Sequence, residues 1–154
     1  MPAQAPRLSV VIVNYNVRHY LAQCLQSVAA AAQHVPTEVF VVDNNSVDGS
    51  VQMLEEGFGW VKKIYNRQNT GFAVANNQAI RQATGDYVLL LNPDTIVQED
   101  TFRTIVAFMD AQPEAGALGV KMINGAGEFL PESKRALPTP WVAFHKIFGL
   151  SKLF

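Results

Sequence analysis

The sequence predicts an α/β fold, in which a mostly parallel central sheet carries helices on both faces in a Rossmann-like arrangement. Four short apolar runs, each flanked by turn residues, recur through the first two thirds of the chain, and stretches with helical spacing separate them. Runs that are apolar throughout are typical of strands covered on both faces, as parallel strands are. Strands that alternate with helices imply βαβ units, and therefore a parallel sheet.

The first part of the chain alternates two strands with two helices. We predict a strand at residues 8–13 and a helix at 17–32, where apolar residues recur at i, i+4 and i+7. Asn16 precedes this helix and is a residue type that commonly caps helices. A second strand follows at residues 39–42, and a short second helix ends at Gly57.

The next part repeats this alternation. We predict strands at residues 61–65 and 87–91, a third helix at 72–83 and a fourth helix at 102–109 that ends near Pro113. The apolar residues of the third helix share one predicted face: Phe72, Ala75, Ala79 and Ala83.

After the fourth helix, the pattern predicts a fifth strand and a hairpin. Residues 115–123 form the apolar run, 124–127 form a turn rich in Asn and Gly, and 128–130 return along the strand. From Pro131 onward prolines interrupt the pattern, and the final residues, 141–154, are rich in large apolar side chains.

Composition limits the classes of function. The chain has 154 residues and a formal net charge of −1, which fits one domain and provides no cationic face for nucleic acid. Its single cysteine, Cys24, excludes a disulfide scaffold and fits a reducing compartment, so we expect a cytoplasmic location. No apolar run approaches the roughly 20 residues that a membrane-spanning helix needs. Cys24 itself is expected to be a small buried hydrophobe.

Polar residues follow every predicted strand, at the positions where ligands bind in open α/β sheets. Turn chemistry alone explains any one of these groups, because Asn and Asp stabilise turns, but it explains four groups at one edge less well. These groups are Asn14-Tyr15-Asn16, Asp43-Asn44-Asn45-Ser46, the residues from Asn66 to Gly71, and Asn92-Pro93-Asp94-Thr95.

The first two groups indicate a nucleotide rather than a dinucleotide cofactor. No G-x-G-x-x-G sequence follows the first strand, which argues against a dinucleotide-dependent oxidoreductase. Asp43 is placed to accept hydrogen bonds from a ribose or a base, and Tyr15 offers a face for stacking.

The fourth group has two interpretations. Asp94 either caps the following helix or binds Mg²⁺ or Mn²⁺ that also holds a diphosphate.

Four segments of the chain together resemble the family 2 inverting glycosyltransferases, which have the GT-A fold. The Asn-Pro-Asp-Thr sequence is most similar to their rhamnosyltransferase-like branch. The matching segments are LSVVIVNYN (8–16), VVDNNS (41–46) with Asp48-Gly49, NTGFAVANN (69–77) and GDYVLLLNPD (85–94).

The resemblance implies a site for a nucleoside diphosphate sugar. Asp94 corresponds to the metal-binding member of the family's Asp-x-Asp motif, so the implied cofactor is Mg²⁺ or Mn²⁺. Asn92 replaces the first Asp of that motif, and Asn44 replaces an acidic residue that is common in relatives. The residues implied to bind the nucleotide sugar are Asn14, Tyr15, Asp43, Asn44, Asn69, Gly71, Asn77, Asn92 and Asp94.

The implied reaction is transfer of a sugar with inversion, from a donor such as a deoxythymidine diphosphate rhamnose to a saccharide or lipid-linked saccharide acceptor. Such a reaction needs a general base to deprotonate the acceptor hydroxyl. No carboxylate after the fourth helix lies in a block that matches the family's base, so we assign none. Two alternatives remain open: a non-catalytic nucleotide-sugar-binding or interaction module, and a sugar nucleotidyltransferase.

We therefore expect a GT-A nucleotide-sugar-binding domain at residues 7–123. The hairpin and C-terminal segment at 124–154 would lead into an acceptor half that this sequence lacks. Apolar residues within 141–154 can share one helical face beside lysines, which fits peripheral contact with the inner face of a membrane or packing against that acceptor half. The sequence does not determine the oligomeric state.

Overall fold

The computed structural model describes residues 5–130, and the chain divides into two compact units after Pro113. Strands and helices alternate through the first unit in the predicted order. The elements are β1 (Leu8–Asn14), α1 (Arg18–Ala31), a 3-10 turn (Ala32–His34), β2 (Thr37–Asp43), α2 (Ser50–Gly57), β3 (Lys62–Tyr65), α3 (Phe72–Ile80), β4 (Tyr87–Leu91) and α4 (Thr101–Ala111).

The strands form one parallel sheet in the order β3-β2-β1-β4. β1 lies between β2 and β4, and its last residue, Asn14, is in register with Asp43 at the end of β2. Because all four strands run in the same direction, their carboxyl ends lie at one edge of the sheet. This arrangement confirms the predicted parallel α/β fold.

The apolar residues of β1 point alternately into two cores. Val10 and Ile12 pack among buried side chains of α1, α2 and α4 on one face of the sheet. Val11 packs with Ala75 and Ala79 of α3 on the other face. Helices therefore cover both faces, as the sequence predicts, and burial of these side chains supplies most of the driving force for folding.

The prediction that each strand is covered on both faces is correct for β1 and β2 and wrong for β3 and β4. In β4, Val88 and Leu90 are 43% and 49% exposed. These two strands lie at the edges of the described sheet, and α3 packs on β1 and β2. An apolar run predicts a strand, but the neighbouring helices decide how much of it is buried.

The predicted cap of α1 is also wrong. Asn16 has a positive φ of 55° and accepts a hydrogen bond from the Val47 N–H, while Val17 occupies the N-cap position without a side-chain cap. The first helical N–H, that of Arg18, donates instead to Asp48 at 2.8 Å. Asp48, in the loop after β2, thus accepts the hydrogen bond that a capping side chain next to the helix would otherwise accept.

Residues 114–130, the described part of the second unit, contain the predicted hairpin but not the predicted fifth strand. A single antiparallel bridge joins Ile123 to Phe129, and the Gly127 N–H closes the turn on Asn124 at 2.9 Å. Residues 115–122 have no ladder partner in this part of the chain, and a strand requires one. Within residues 5–130, no helix is long and apolar enough to cross a membrane.

Gly85 allows the turn before β4 to approach β1 closely. A Cβ atom at this position would lie 2.8 Å from the Ser9 backbone nitrogen and 2.9 Å from the Leu8 carbonyl carbon. The Gly85 N–H also donates to Ser9 Oγ at 2.9 Å. The start of β4 therefore packs against β1 at a distance that only glycine permits.

Gly85→Ala is expected to lower the free energy of unfolding by about 1–3 kcal/mol, the usual cost of inserting an atom into a filled space. Denaturant unfolding followed by circular dichroism measures this change. Gly59→Ala is the control, because no atom lies within 4 Å of a Cβ at Gly59. We expect that control to change stability by less than about 0.5 kcal/mol. Equal effects of the two substitutions would contradict the importance of the close approach.

Glu38 joins three segments at the opposite edge of the sheet from the polar strand ends. Its carboxylate accepts hydrogen bonds from Ser9 Oγ, the Thr84 N–H and Lys62 Nζ, each at 2.6 Å. Partial burial favours the protonated form, but these donors outweigh it and lower the pKa of Glu38 to about 2. The folded chain therefore holds this carboxylate in its charged form.

A lowered pKa links Glu38 to stability at acidic pH. The Glu38 carboxylate contributes to the free energy of unfolding fully above its ordinary pKa of 4.5, and this contribution is lost as the pH falls toward 2. We expect Glu38→Gln to lower the free energy of unfolding most near neutral pH and progressively less in acid. Denaturant unfolding across this pH range measures the difference, with the exposed Glu99→Gln as control. A difference that is independent of pH would overturn the prediction.

Candidate functional site

Asn14 and Asp43 form a buried polar pair where β1 and β2 end. Both residues are less than 2% exposed, and Asn14 Nδ2 donates to Asp43 Oδ1 at 2.7 Å. The other Asp43 oxygen accepts the Ser46 N–H at 2.8 Å, and Ser46 Oγ accepts a second bond from Asn14. The pair thereby shapes the loop after β2, because a buried carboxylate requires such donors.

Asn44, the next residue, joins that loop to the loop after β3. It is 2% exposed, and its Oδ1 accepts hydrogen bonds from Asn66 Nδ2 at 2.9 Å and Thr70 Oγ1 at 3.0 Å. Its Nδ2 donates to the Gly71 carbonyl oxygen at 3.4 Å. Asn66 also exchanges two amide hydrogen bonds of 2.9 Å with Gln78 of α3. The start of α3 is therefore held against β2 by a network without formal charge.

The loop that enters α3 has a specific backbone conformation. Gly71 has φ 79° and ψ 167°, a combination that residues with a Cβ rarely adopt. Asn69 Oδ1 accepts the Gly71 N–H at 2.9 Å. Both residues are exposed, so their polar groups remain accessible from solvent.

An open cleft of about 380 Å³ lies among these loops. Two partly exposed aromatic rings, Tyr15 at 49% and Phe72 at 59%, belong to its lining. Side chains of this kind offer flat apolar surfaces to a ring, and the neighbouring amides offer both donors and acceptors. The lining residues are Val13, Tyr15, Val17, Asn44, Asn69, Gly71, Phe72 and Pro93.

Asn92, Pro93 and Asp94 form a turn beyond β4. The Thr95 N–H donates to the Asn92 carbonyl oxygen at 3.2 Å, and Pro93 occupies the second position, where its restricted φ suits a turn. The alternative that Asp94 caps the next helix is wrong, because α4 begins at Thr101 and has Asp100 at its N-cap.

The Asp94 carboxylate is exposed and forms no ion pair within residues 5–130. In the same part of the chain, no three His, Cys, Asp or Glu side chains are grouped closely enough to hold a metal ion. A single free carboxylate nevertheless fits the way Mg²⁺ is commonly held, with phosphate oxygens and water as its other ligands. Asp94 therefore suits a cation that arrives with a phosphorylated ligand.

The structure brings some of the sequence-predicted site residues together and separates others. The lining of the cleft includes four of them: Tyr15, Asn44, Asn69 and Gly71. Pro93 also lines the cleft, and its neighbours in the chain are Asn92 and Asp94. Asn14 and Asp43 are buried at the same strand ends, whereas Asn77 is exposed on α3 and does not belong to the lining.

Sequence reasoning missed Phe72, which it placed on the buried face of the third helix. Phe72 is the first residue of α3 and follows Gly71, so it lies at the cleft, while Ala75 and Ala79 provide the buried face. Its position directly after a glycine at a helix start was the available signal. The partners of Asn44 were also missed, since nothing local in the sequence pairs them.

Comparison with known proteins decides the family. The profile described as Glycosyl transferase family 2 matches residues 9–150. The chain belongs to this family. The family 2 domain is 29% identical over 133 residues to the poly(ribitol-phosphate) β-N-acetylglucosaminyltransferase TarS of Staphylococcus aureus, covering 82% of this chain and 23% of TarS. It is 28% identical over 153 residues to the N-acetylglucosaminyl-diphospho-decaprenol L-rhamnosyltransferase of Mycobacterium tuberculosis, covering 92% and 50% of the two chains.

Solved structures of relatives share the fold of this family 2 domain. The crystal structure of S. aureus TarS in complex with UDP has a TM-score of 0.66 at 27% identity, over 86% of this chain and 38% of that one. A mannosyltransferase from Pyrobaculum calidifontis, in complex with GDP-mannose and Mn²⁺, has a TM-score of 0.60 at 26% identity, over 78% and 35%. The parallel α/β architecture is thus a Rossmann-like GT-A fold. The chain spans only 23% of the length of TarS and 50% of the length of the rhamnosyltransferase.

Asn44→Ala is expected to lower the free energy of unfolding by about 1–3 kcal/mol, because it leaves partly buried donors of Asn66 and Thr70 without their acceptor. Denaturant unfolding measures the change. Gln23→Ala, at an exposed position on α1, is a matched amide control with an expected effect below about 0.5 kcal/mol. An Asn44 variant as stable as the control would show that the network does not hold the cleft loops.

Proposed function

We propose that this chain is the donor-binding part of an inverting glycosyltransferase and that its cleft binds a nucleoside diphosphate sugar. The observation that carries the proposal is the placement of a cleft with aromatic and amide lining next to a turn that presents one free carboxylate. The two features lie at the carboxyl edge of a parallel sheet, where such folds bind ligands.

The cleft supplies the groups that a nucleoside requires. Tyr15 and Phe72 offer ring faces for stacking of a base, and the amides of Asn44 and Asn69 lie in the same lining. Asp43, which is in register with Asn14, remains our candidate for the ribose and base, with Asn14 as its partner. The UDP complex of TarS supports a nucleoside diphosphate as the ligand class.

Asp94 is proposed to hold Mg²⁺ or Mn²⁺ together with the diphosphate, with Asn92 beside it. When bound, the cation would stabilise the negative charge that develops on the departing nucleoside diphosphate. The Mn²⁺ complex of the Pyrobaculum mannosyltransferase supports this choice of cofactor. The turn around Pro93 keeps the Asp94 carboxylate at the exposed edge of the sheet, where phosphate oxygens can reach it.

The proposed reaction is attack of an acceptor hydroxyl on the anomeric carbon. The bond to the diphosphate oxygen breaks, and configuration at that carbon inverts. A general base accepts the hydroxyl proton. We assign that base to no residue of this chain and expect it in an acceptor-binding half. Asn69, Gly71 and Asn77 are proposed to shape the loop and helix start near the donor.

The donor sugar is proposed to be a deoxyhexose such as rhamnose carried by deoxythymidine diphosphate, and the acceptor a saccharide or lipid-linked saccharide. The similarity to the M. tuberculosis L-rhamnosyltransferase over 92% of this chain supports this choice.

A cytoplasmic enzyme that meets lipid-linked acceptors would work at the inner face of the membrane. The apolar segment 141–154, which we propose as the contact, lies outside the described residues.

Isothermal titration of the chain with dTDP and with UDP, each with and without Mn²⁺, tests the donor site. We expect Mn²⁺ to tighten nucleotide binding, with dTDP preferred, and Asp94→Asn to remove that gain. A loss of about tenfold in affinity corresponds to about 1.4 kcal/mol. The exposed Glu99→Gln is the matched carboxylate control and should bind like the unsubstituted chain. Failure of the folded chain to bind either nucleotide would overturn the proposal, and binding unaffected by Mn²⁺ would overturn the metal site.

A further inference from the structure

Two side chains of α1 make hydrogen bonds to the segment that carries Asp94. The Cys24 thiol donates to the Asn92 carbonyl oxygen, with Sγ 3.7 Å from the oxygen. One turn further along α1, Ser27 Oγ accepts the Val97 N–H at 3.2 Å and donates to the Cys24 carbonyl oxygen at 2.8 Å. Residues three apart lie on one face of a helix, so both contacts come from the same side of α1.

These contacts hold the turn on both sides of Asp94. The Asn92 carbonyl oxygen accepts two hydrogen bonds, one from the Thr95 N–H that closes the turn and one from Cys24. Val97, on the far side of Asp94, is bound to Ser27. The backbone on either side of Asp94 is therefore tied to the same helix face.

The helix that makes these contacts is firmly placed in the core. Leu21, Leu25 and Val28 of α1 are completely buried against the sheet. Side chains on such a helix lose little further freedom when they form a hydrogen bond, because neighbouring groups already restrict them. The hydrogen bonds of Cys24 and Ser27 therefore fix the position of the turn relative to α1.

The Cys24 thiol is suited to act as a donor. Burial, and to a smaller extent the negative charge of Asp94, raises the pKa of Cys24 to about 12. The thiol therefore keeps its proton at physiological pH, which a donor to a carbonyl requires.

We propose that Cys24 and Ser27 are positioning residues that set the orientation of the Asp94 carboxylate toward the metal–diphosphate. This inference rests on the proposed function, because it assumes that Asp94 binds the cation. Neither residue touches the ligand itself. If the thiol only filled space in the core, its removal would lower stability but would leave the affinity for the metal unchanged.

The experiment compares Mn²⁺ affinity, measured by electron paramagnetic resonance in the presence of dTDP, for the unsubstituted chain and its variants. We expect Cys24→Ala and Ser27→Ala each to weaken Mn²⁺ binding by about tenfold, the lower end of the usual effect of losing a group that orients a metal ligand. Affinity for dTDP without metal should stay unchanged. Cys24→Ser, which restores a donor of similar size, should recover the Mn²⁺ affinity.

Val28→Ala is the control, because it removes a buried side chain of α1 from the core. It should lower stability but leave Mn²⁺ affinity unchanged. Normal Mn²⁺ affinity in Cys24→Ala and Ser27→Ala, or an equal loss in Val28→Ala, would overturn the positioning role alone. If the unsubstituted chain binds dTDP but no Mn²⁺, the metal site of the proposed function fails, and the positioning role fails with it.

Discussion

Parallel pairing of β1 with β2 and β4 is the constraint on which the candidate site depends. It places Asn14, Asp43 and the turn after Leu91 at one edge of the sheet, although these segments are far apart in the chain. An antiparallel β4 would place Asp94 at the opposite edge, away from the cleft. The residues that enforce the pairing are apolar and buried on both faces of β1, so the position of the polar groups follows from packing of the core.

The polar edge of the sheet is built largely from neutral groups. Asn44 and Asn69 contribute amides to the cleft, and the carboxylate of Asp43 is buried with donors on both oxygens. Asp94 is exposed at the turn beside Pro93. Under the proposed function, this distribution limits repulsion of a negatively charged diphosphate, and the cation held by Asp94 supplies the compensating charge.

Helix α1 connects loops that follow different strands. Its first N–H donates to Asp48 in the loop after β2, while Cys24 and Ser27 bind the segment after β4. The same helix buries one side against the sheet. Movement of either loop is therefore coupled to the core through α1.

The sequence by itself determined the alternation of strands and helices, the parallel sheet and the polar strand ends. These features depend on local patterns of apolar and turn residues, which repeat within a few positions. Its four motif segments also indicated the family that the comparison confirmed. Local patterning extends no further, which is why the apolar run at 115–123 predicted a strand although residues 115–122 have no ladder partner among the described residues.

Only the tertiary structure decided which polar groups pair. Asp48 rather than Asn16 satisfies the start of α1, Asn44 joins two loops, and Cys24 bonds to Asn92, which lies 68 residues away. A hydrogen bond needs a particular distance and direction between two atoms, and residues so far apart acquire these only when the sheet has aligned its strands. Local sequence predicts which residues are polar, whereas packing of the whole domain selects their partners.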